Sequence, residues 1–222
     1  MIRFEDVCYA YDGVPVLRHV DFIVKKSEVV AITGPNGAGK STLLRMVNGL
    51  IYPELGGYFY EGEKITAAKM REHRYSKWFH QQVGYLWQNP DSQLFCGSVE
   101  EELAFGPEQM GLTSREVHTR VEDALSLLGI EKLRKRAPFT LSGGEKKKVA
   151  IASVLTMNPS VWTFDEPLSS LDEESRKWLL EFLMALKAAG KTLMISTHEI
   201  ERIKGLVDKE IRINTRHQVQ VV

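Results

Sequence analysis

Apolar positions along this chain follow two rhythms, one of strands and one of helices. Ile2 to Tyr11 alternates loosely in the manner of an antiparallel strand, Asp12-Gly13 supplies a turn, and Val20 to Val24 reads as a second strand. Glu28 to Thr33 is apolar almost throughout and rich in β-branched residues, as expected of a buried parallel strand. Val161 to Phe164 and Thr192 to Thr197 also read as strands, and Gln82 to Gln88 is strand-like until Pro90 stops it. The helical rhythm appears first at Leu43, Met46, Val47 and Leu50, one apolar face that Gly49 and Pro53 help to end. It returns at Val117, Val121, Ala124, Leu125 and Leu128, closed by Gly129, and at Leu179, Phe182, Leu183 and Leu186, closed by Gly190. Ser98 with Glu101, Thr113 with Glu116 and Ser142 with Glu145 fit the capping-box spacing, so a helical insert between strands is predicted. Leu55-Gly-Gly-Tyr58 reads as a turn, and the alternating tail from Glu210 to Val222 as a closing strand or hairpin.

Composition narrows this picture. With 222 residues the chain is long enough for one α/β domain, residues 1–222, with a subdomain inserted into it. Lys+Arg and Asp+Glu are both 29, so there is no global basic field to recruit nucleic acid. The mixed basic and aromatic stretch from Arg71 to His80 is the sole candidate for such a contact, and the solvated face of a helix or loop explains it better. Lys132, Arg134, Lys135 and Arg136 read as favourable charge near a helix end. No apolar run approaches the roughly 18 residues needed to cross a bilayer, and Met1 leads straight into an apparent strand, so a cytosolic protein is expected. Cys8 and Cys96 lack metal-ligand spacing and read as core or surface thiols.

Candidate chemistry centres on Gly34, Pro35, Asn36, Gly37, Ala38, Gly39, Lys40, Ser41 and Thr42, a full match to G-x-x-x-x-G-K-[ST] between a strand and a helix. Glycines let successive N–H groups point inward at phosphate oxygens, and the helix N-terminus adds partial positive charge. Lys40 would neutralise the β- and γ-phosphates and Ser41 would place its hydroxyl on Mg²⁺. Val161 to Pro167 ends in Asp165 and Glu166, at the strand end where open parallel sheets collect ligands. The aspartate there can hold Mg²⁺ and the glutamate can deprotonate an attacking water, whereas the bland alternative is a polar turn. His198 stands at the end of another such strand. Leu141, Ser142, Gly143, Gly144 and Glu145 put two glycines in the first turn of a helix, at a cost of roughly 1 kcal/mol each relative to alanine. A phosphate needing bare N–H groups would explain them. Tyr11, beside its turn, is either a stacking partner for a purine or a half-buried aromatic.

Taken together, these motifs closely resemble the nucleotide-binding subunit of an ATP-binding cassette (ABC) transporter over essentially the full length. Residues 34 to 42 match that family's phosphate loop, Gln88 its Q-loop, Leu141 to Glu145 its signature, Asp165 and Glu166 its Walker B pair, Ser170, Leu171 and Asp172 its D-loop, His198 its switch histidine and Tyr11 its adenine-stacking aromatic. Gln88 to Phe95 and Val99 to Pro107 look like the ATPases of energy-coupling-factor and cobalt/nickel importers. Trp162, Thr163, Glu145, Lys148 and Leu168 depart from common family residues without removing a group the chemistry needs.

The resemblance implies a P-loop NTPase core with a mostly parallel sheet, about residues 1–90 and 160–222, an N-terminal antiparallel β layer, and a helical subdomain at about 91–159. It also implies ATP and Mg²⁺ as ligands, the metal held by Ser41, Gln88 and Asp165, with Glu166, His198 and Lys40 as the hydrolytic residues. A second ABC ATPase subunit, homo- or heterodimeric, would present its signature to the nucleotide, and a transmembrane subunit would hold the assembly on the cytoplasmic face of the membrane. The implied cargo is a small solute, a metal ion such as cobalt or nickel or else a vitamin. A soluble ABC ATPase acting on nucleic acid or the ribosome is the rival, but it would need insertions, a second cassette or a basic arm that this neutral chain lacks. A small-molecule P-loop kinase would leave Leu141 to Glu145 without a purpose.

Overall fold

A computed structural model describes all residues from Met1 to Val222. Two sheets carry the fold. The first is antiparallel in the order β2-β1-β4-β5, from β1 (Ile2–Tyr11), β2 (Val14–Val24), β4 (Leu55–Tyr60) and β5 (Glu63–Lys64). The second runs β10-β9-β3-β8-β7-β6, from β3 (Val29–Thr33), β6 (Val83–Leu86), β7 (Val161–Asp165), β8 (Thr192–Ser196), β9 (Lys209–Ile213) and β10 (Val219–Val221). It is parallel except for β10, which turns back on β9 as the predicted closing hairpin.

Alternation within β3 explains how the layers stack. Val30 and Ile32 join a 23-residue core with α1 (Lys40–Val47) and the antiparallel sheet, while Val29 and Ala31 join a 29-residue core on the other face. That second core includes α4 (Val99–Gln109), α5 (Ser114–Leu128), α6 (Gly143–Leu155) and α7 (Glu173–Ala188). The helices of segment 91–159 therefore share one continuous core with the sheet. Thr113 and Glu116 form a reciprocal capping box on α5, and Gly129 closes that helix at φ 62°. Ser98 caps α4 as predicted, but the Glu101 side chain turns to the Gly97 N–H instead of completing the box.

Three local readings are corrected. Leu55 to Tyr58 is strand, not turn: Gly56, at φ 81°, lies where an added Cβ would come within 2.3 Å of the Glu5 and Asp6 carbonyl oxygens, opposite a bulge in β1. Leu50 lies beyond α1, capped at Asn48, and is exposed. The basic cluster serves a different helix end from the one that precedes it: Arg134 and Lys135 pair with Glu100 in the first turn of α4, and Arg134 also with Glu122 on α5. Residues 71–80 fall on α2 (Ala67–Arg71) and α3 (His73–Gln82), where Phe79 is buried edge-on to Tyr60 and Tyr75 packs on Trp78. The aromatics of that stretch hold the helix to the antiparallel sheet, and its charges face solvent.

Candidate active site

Strand order brings the chemistry together. β3, β8 and β7 are neighbours and parallel, so the loop after β3, His198 after β8, and Asp165 with Glu166 at the end of β7 emerge side by side. Glu166 and His198 line, with Tyr11 and Gln88, a cavity of about 580 Å³ whose wall also holds Asn36, Gly37, Gly39, Lys40, Ser41 and Thr42, while Asp165 lies buried behind Glu166 and outside that lining.

The loop is shaped by its neighbours. An added Cβ at Gly34 would lie 2.3 Å from the Ile213 carbonyl oxygen, and one at Gly39 2.7 Å from that of Val16. Both positions have positive φ, 142° and 111°, so glycine is required twice over. Gly37 at the tip meets nothing, leaving its backbone open to a ligand. Lys40, 7% exposed, reaches back so that its Nζ donates to the carbonyls of Gly34 at 2.9 Å and Pro35 at 3.3 Å. Gly34, Pro35 and Ala38 thus shape the loop instead of lining the cavity.

Lys40 Nζ also lies 3.6 Å from Glu166 Oε1, and the other oxygen of that carboxylate is 2.8 Å from His198 Nδ1. An ionised carboxylate only accepts, so Nδ1 carries the proton and Nε2 is left for another partner. Glu166 itself sits at φ 45°, a left-handed conformation held by its N–H donating to the hydroxyl and carbonyl oxygens of Ser196. The same Ser196 hydroxyl donates to Asp165 Oδ1 at 2.6 Å, and the Tyr85 hydroxyl approaches Oδ2 at 3.2 Å. Burial, then the Asp165 carboxylate, keeps the Tyr85 phenol far above its ordinary pKa, so it remains a donor.

Sequence reasoning missed Ser196, Tyr85 and Lys147. Ser196 was legible as a polar residue following the apolar run Leu193 to Ile195, in register with Asp165. Lys147 falls at i, i+3, i+4 and i+7 with Ala150, Ile151 and Val154, on the buried face of α6, and donates to the carbonyls of Trp87 and Gln88. Burial pushes its ammonium down to about 8, with Asp165 pulling the other way. No residue pattern marked Tyr85.

The signature does not join this cavity. Leu141 is buried in the core, Ser142 and Glu145 cap α6 reciprocally, and Gly143 is exposed with nothing within 4 Å of an added Cβ. Gly143 shares a neighbouring cavity of about 310 Å³ with Gln88, Ser170 and Leu171. Asp172, the last D-loop residue, caps α7 by accepting from the Ser175 N–H. Tyr11 is 38% exposed at the cavity wall, edge-on to Tyr9, with its hydroxyl 3.5 Å from Arg45.

A glycine-shaped loop at a helix start, with a lysine, a carboxylate and a histidine closing on one cavity, is the arrangement of a nucleotide hydrolase. The sequence profile described as ABC transporter matches residues 17–169, and the chain belongs to that family. It is an ATPase subunit of the importer kind, with ATP as its nucleotide. It is 40% identical over 219 residues to a nickel import ATP-binding protein of Lactiplantibacillus plantarum, covering 99% of this chain and 91% of that one. An energy-coupling factor transporter ATP-binding protein of Methanothermobacter thermautotrophicus is 41% identical over 216 residues, 97% of this chain and 68% of the relative. Among solved structures, the cbiO1 protein of Clostridium perfringens, part of the ABC transporter complex cbiONQ, superposes with a TM-score of 0.85 at 33% identity, covering 99% and 86%. A dimeric bacterial ABC transporter cassette gives 0.88 at 25% identity, covering 99% and 97%. No helix of this chain is long and apolar enough to cross a membrane.

Proposed function

We propose that two ATPase subunits of this kind close head to tail around ATP, each offering its phosphate loop to one nucleotide and its signature to the other. The observation that carries this reading is Gly143, solvent-exposed at a helix start and unobstructed, yet outside the cavity of Lys40, Glu166 and His198. Loop N–H groups from Asn36 to Thr42 bind the phosphates, Lys40 exchanges its carbonyl partners for phosphate oxygens, and Tyr11 stacks on adenine. Glu166 takes the proton of the attacking water, while His198 orients that carboxylate and reaches the γ-phosphate. When bound with the nucleotide, Mg²⁺ neutralises phosphate charge, and Ser41, Gln88 and Asp165 are the oxygen donors that would hold it. That all-oxygen set suits a hard cation, and no cluster of three or more His, Cys, Asp or Glu side chains competes for it. Ser170, Leu171 and Asp172 line the seam between the two subunits, beside Gly143.

The segment 91–159 acts as the lobe that passes closure on to a membrane subunit. Supporting this is a cavity of about 440 Å³ between α3 and α4, lined by Tyr85, Gln93, Phe105 and Met157, with exposed Phe95 edge-on to Phe105 at its lip. The assembly sits at the cytoplasmic face of the membrane. Its cargo is a divalent transition metal, nickel or cobalt, in line with the nickel import relative, with a vitamin as the alternative that the family resemblance implies.

Radioactive nickel and cobalt uptake by cells carrying parent or Glu166→Gln protein tests this. Uptake that stops in the variant supports it, and unchanged uptake of both metals overturns the cargo assignment. Salt-dependent nucleic-acid binding by the purified chain would overturn the transport reading itself.

A further inference from the structure

The hairpin from β9 to β10 ends in a turn that the hydrolytic machinery leaves unexplained. Asn214 organises it, its side-chain oxygen accepting from the N–H groups of Arg216 and Gln218 and its carbonyl from His217. His217 sits at φ 63°, a conformation that glycine adopts freely and a side-chain-bearing residue resists. A strained residue invites the question of what its side chain does there. The imidazole is half-buried, with Nδ1 3.2 Å from the carbonyl oxygen of Ala38, inside the phosphate loop. A carbonyl only accepts, so Nδ1 is the donor. The turn is anchored on its other side by the Arg18 N–H, which donates to the His217 carbonyl at 2.9 Å.

Peptide geometry turns this contact into an effect on the cavity. The Ala38 carbonyl and the Gly39 N–H belong to one planar unit, and no peptide bond in the chain is cis, so the two point in opposite directions. Holding the carbonyl outward against His217 therefore turns the Gly39 N–H the other way, on a loop whose Gly39 lines the 580 Å³ cavity. Ala38 is also fixed through its own N–H, which donates to the Pro35 carbonyl at 3.2 Å. We infer that His217 is a positioning residue for the phosphate loop, which aims the Gly39 N–H at nucleotide phosphate and so tightens nucleotide binding. This inference rests on the loop being the phosphate site.

His217→Gly and His217→Asn separate this role from folding. Glycine relieves the backbone and deletes the donor, whereas asparagine tolerates the left-handed region and puts an amide nitrogen where Nδ1 sits. The readouts on the purified full-length chain are melting temperature without nucleotide and the Kd for MgADP by calorimetry. His217→Gly is expected to melt no lower than the parent and to bind MgADP roughly three- to tenfold more weakly, the range of one lost hydrogen bond. His217→Asn is expected to stay within about twofold of the parent on the same grounds. Equal affinity of parent and His217→Gly overturns the inference, as does a His217→Asn variant as weak as His217→Gly. A fall in melting temperature that accompanies the loss assigns the ring to folding and also overturns it. If the parent itself fails to bind MgADP, it is the underlying phosphate-site reading that falls.

Discussion

Two helices of this chain begin at glycines, and they begin very differently. At the start of α1, Gly34 and Gly39 are walled in by the carbonyls of Ile213 and Val16, and a lysine, a glutamate and a histidine close over the same space. At the start of α6, Gly143 faces open solvent. The first set of glycines is demanded by the chain's own packing. The second is not, and its helix would be more stable with alanine, so the reason we propose for it is a nucleotide held by a partner subunit. In the proposed dimer, one half of the site is built and the other is offered.

Substitutions at each end can break this contrast. Glu166→Gln removes the proton acceptor and keeps the shape, so turnover should fall about a thousandfold while ATP binding persists and the closed dimer outlives the parent's. Single-turnover hydrolysis with gel filtration in MgATP measures both, and parent-like turnover would remove Glu166 from its role. Gly34→Ala should cost about 3 kcal/mol of stability, because the new methyl has no room beside Ile213. Denaturant unfolding checks it, and an unchanged midpoint would mean the loop is not packed as described.

Gly143→Ala is the counterpart. It should slow hydrolysis about a hundredfold, as expected when one donor aimed at phosphate is blocked, yet leave ATP affinity of the isolated chain intact. Its stability should rise by up to about 1 kcal/mol. A drop in stability comparable to that of Gly34→Ala would erase the distinction between the two helix starts. Tyr11→Ala has the smallest expected effect, a KM for ATP raised roughly fivefold by the loss of one stacking face, with kcat little changed. Steady-state kinetics at varied ATP would show whether kcat falls instead.

The departures from common family residues show why unusual residues need not signal lost function. Thr163 sits where an aliphatic is common, and its hydroxyl donates to the Gly84 carbonyl and accepts from Asn48, so a buried polar group is fully satisfied. Trp162 is completely buried, stacked on Phe164 and edge-on to Phe182. Lys148 rests over the Trp178 ring at 5.0 Å. Thr163 and Lys148 each find a partner far away in the chain, Asn48 and Trp178, whereas the buried indole Nε1 of Trp162 has no hydrogen-bond partner.

The amino-acid sequence by itself determined the phosphate loop, the two carboxylates after β7, the histidine after β8, two of the three capping boxes and most elements. All of these rest on signals spanning a few residues, namely glycine spacing, apolar periodicity and cap chemistry. Tertiary structure alone decided what depends on who lies opposite. Leu55 to Tyr58 became strand because Gly56 fits under the bulge at Glu5 and Asp6, Leu50 was left outside its helix, and Ser196, Tyr85, Lys147 and His217 acquired partners 31 to 179 positions away along the chain. The physical reason is that a hydrogen bond or a steric contact is a property of two surfaces, and local sequence specifies only one of them.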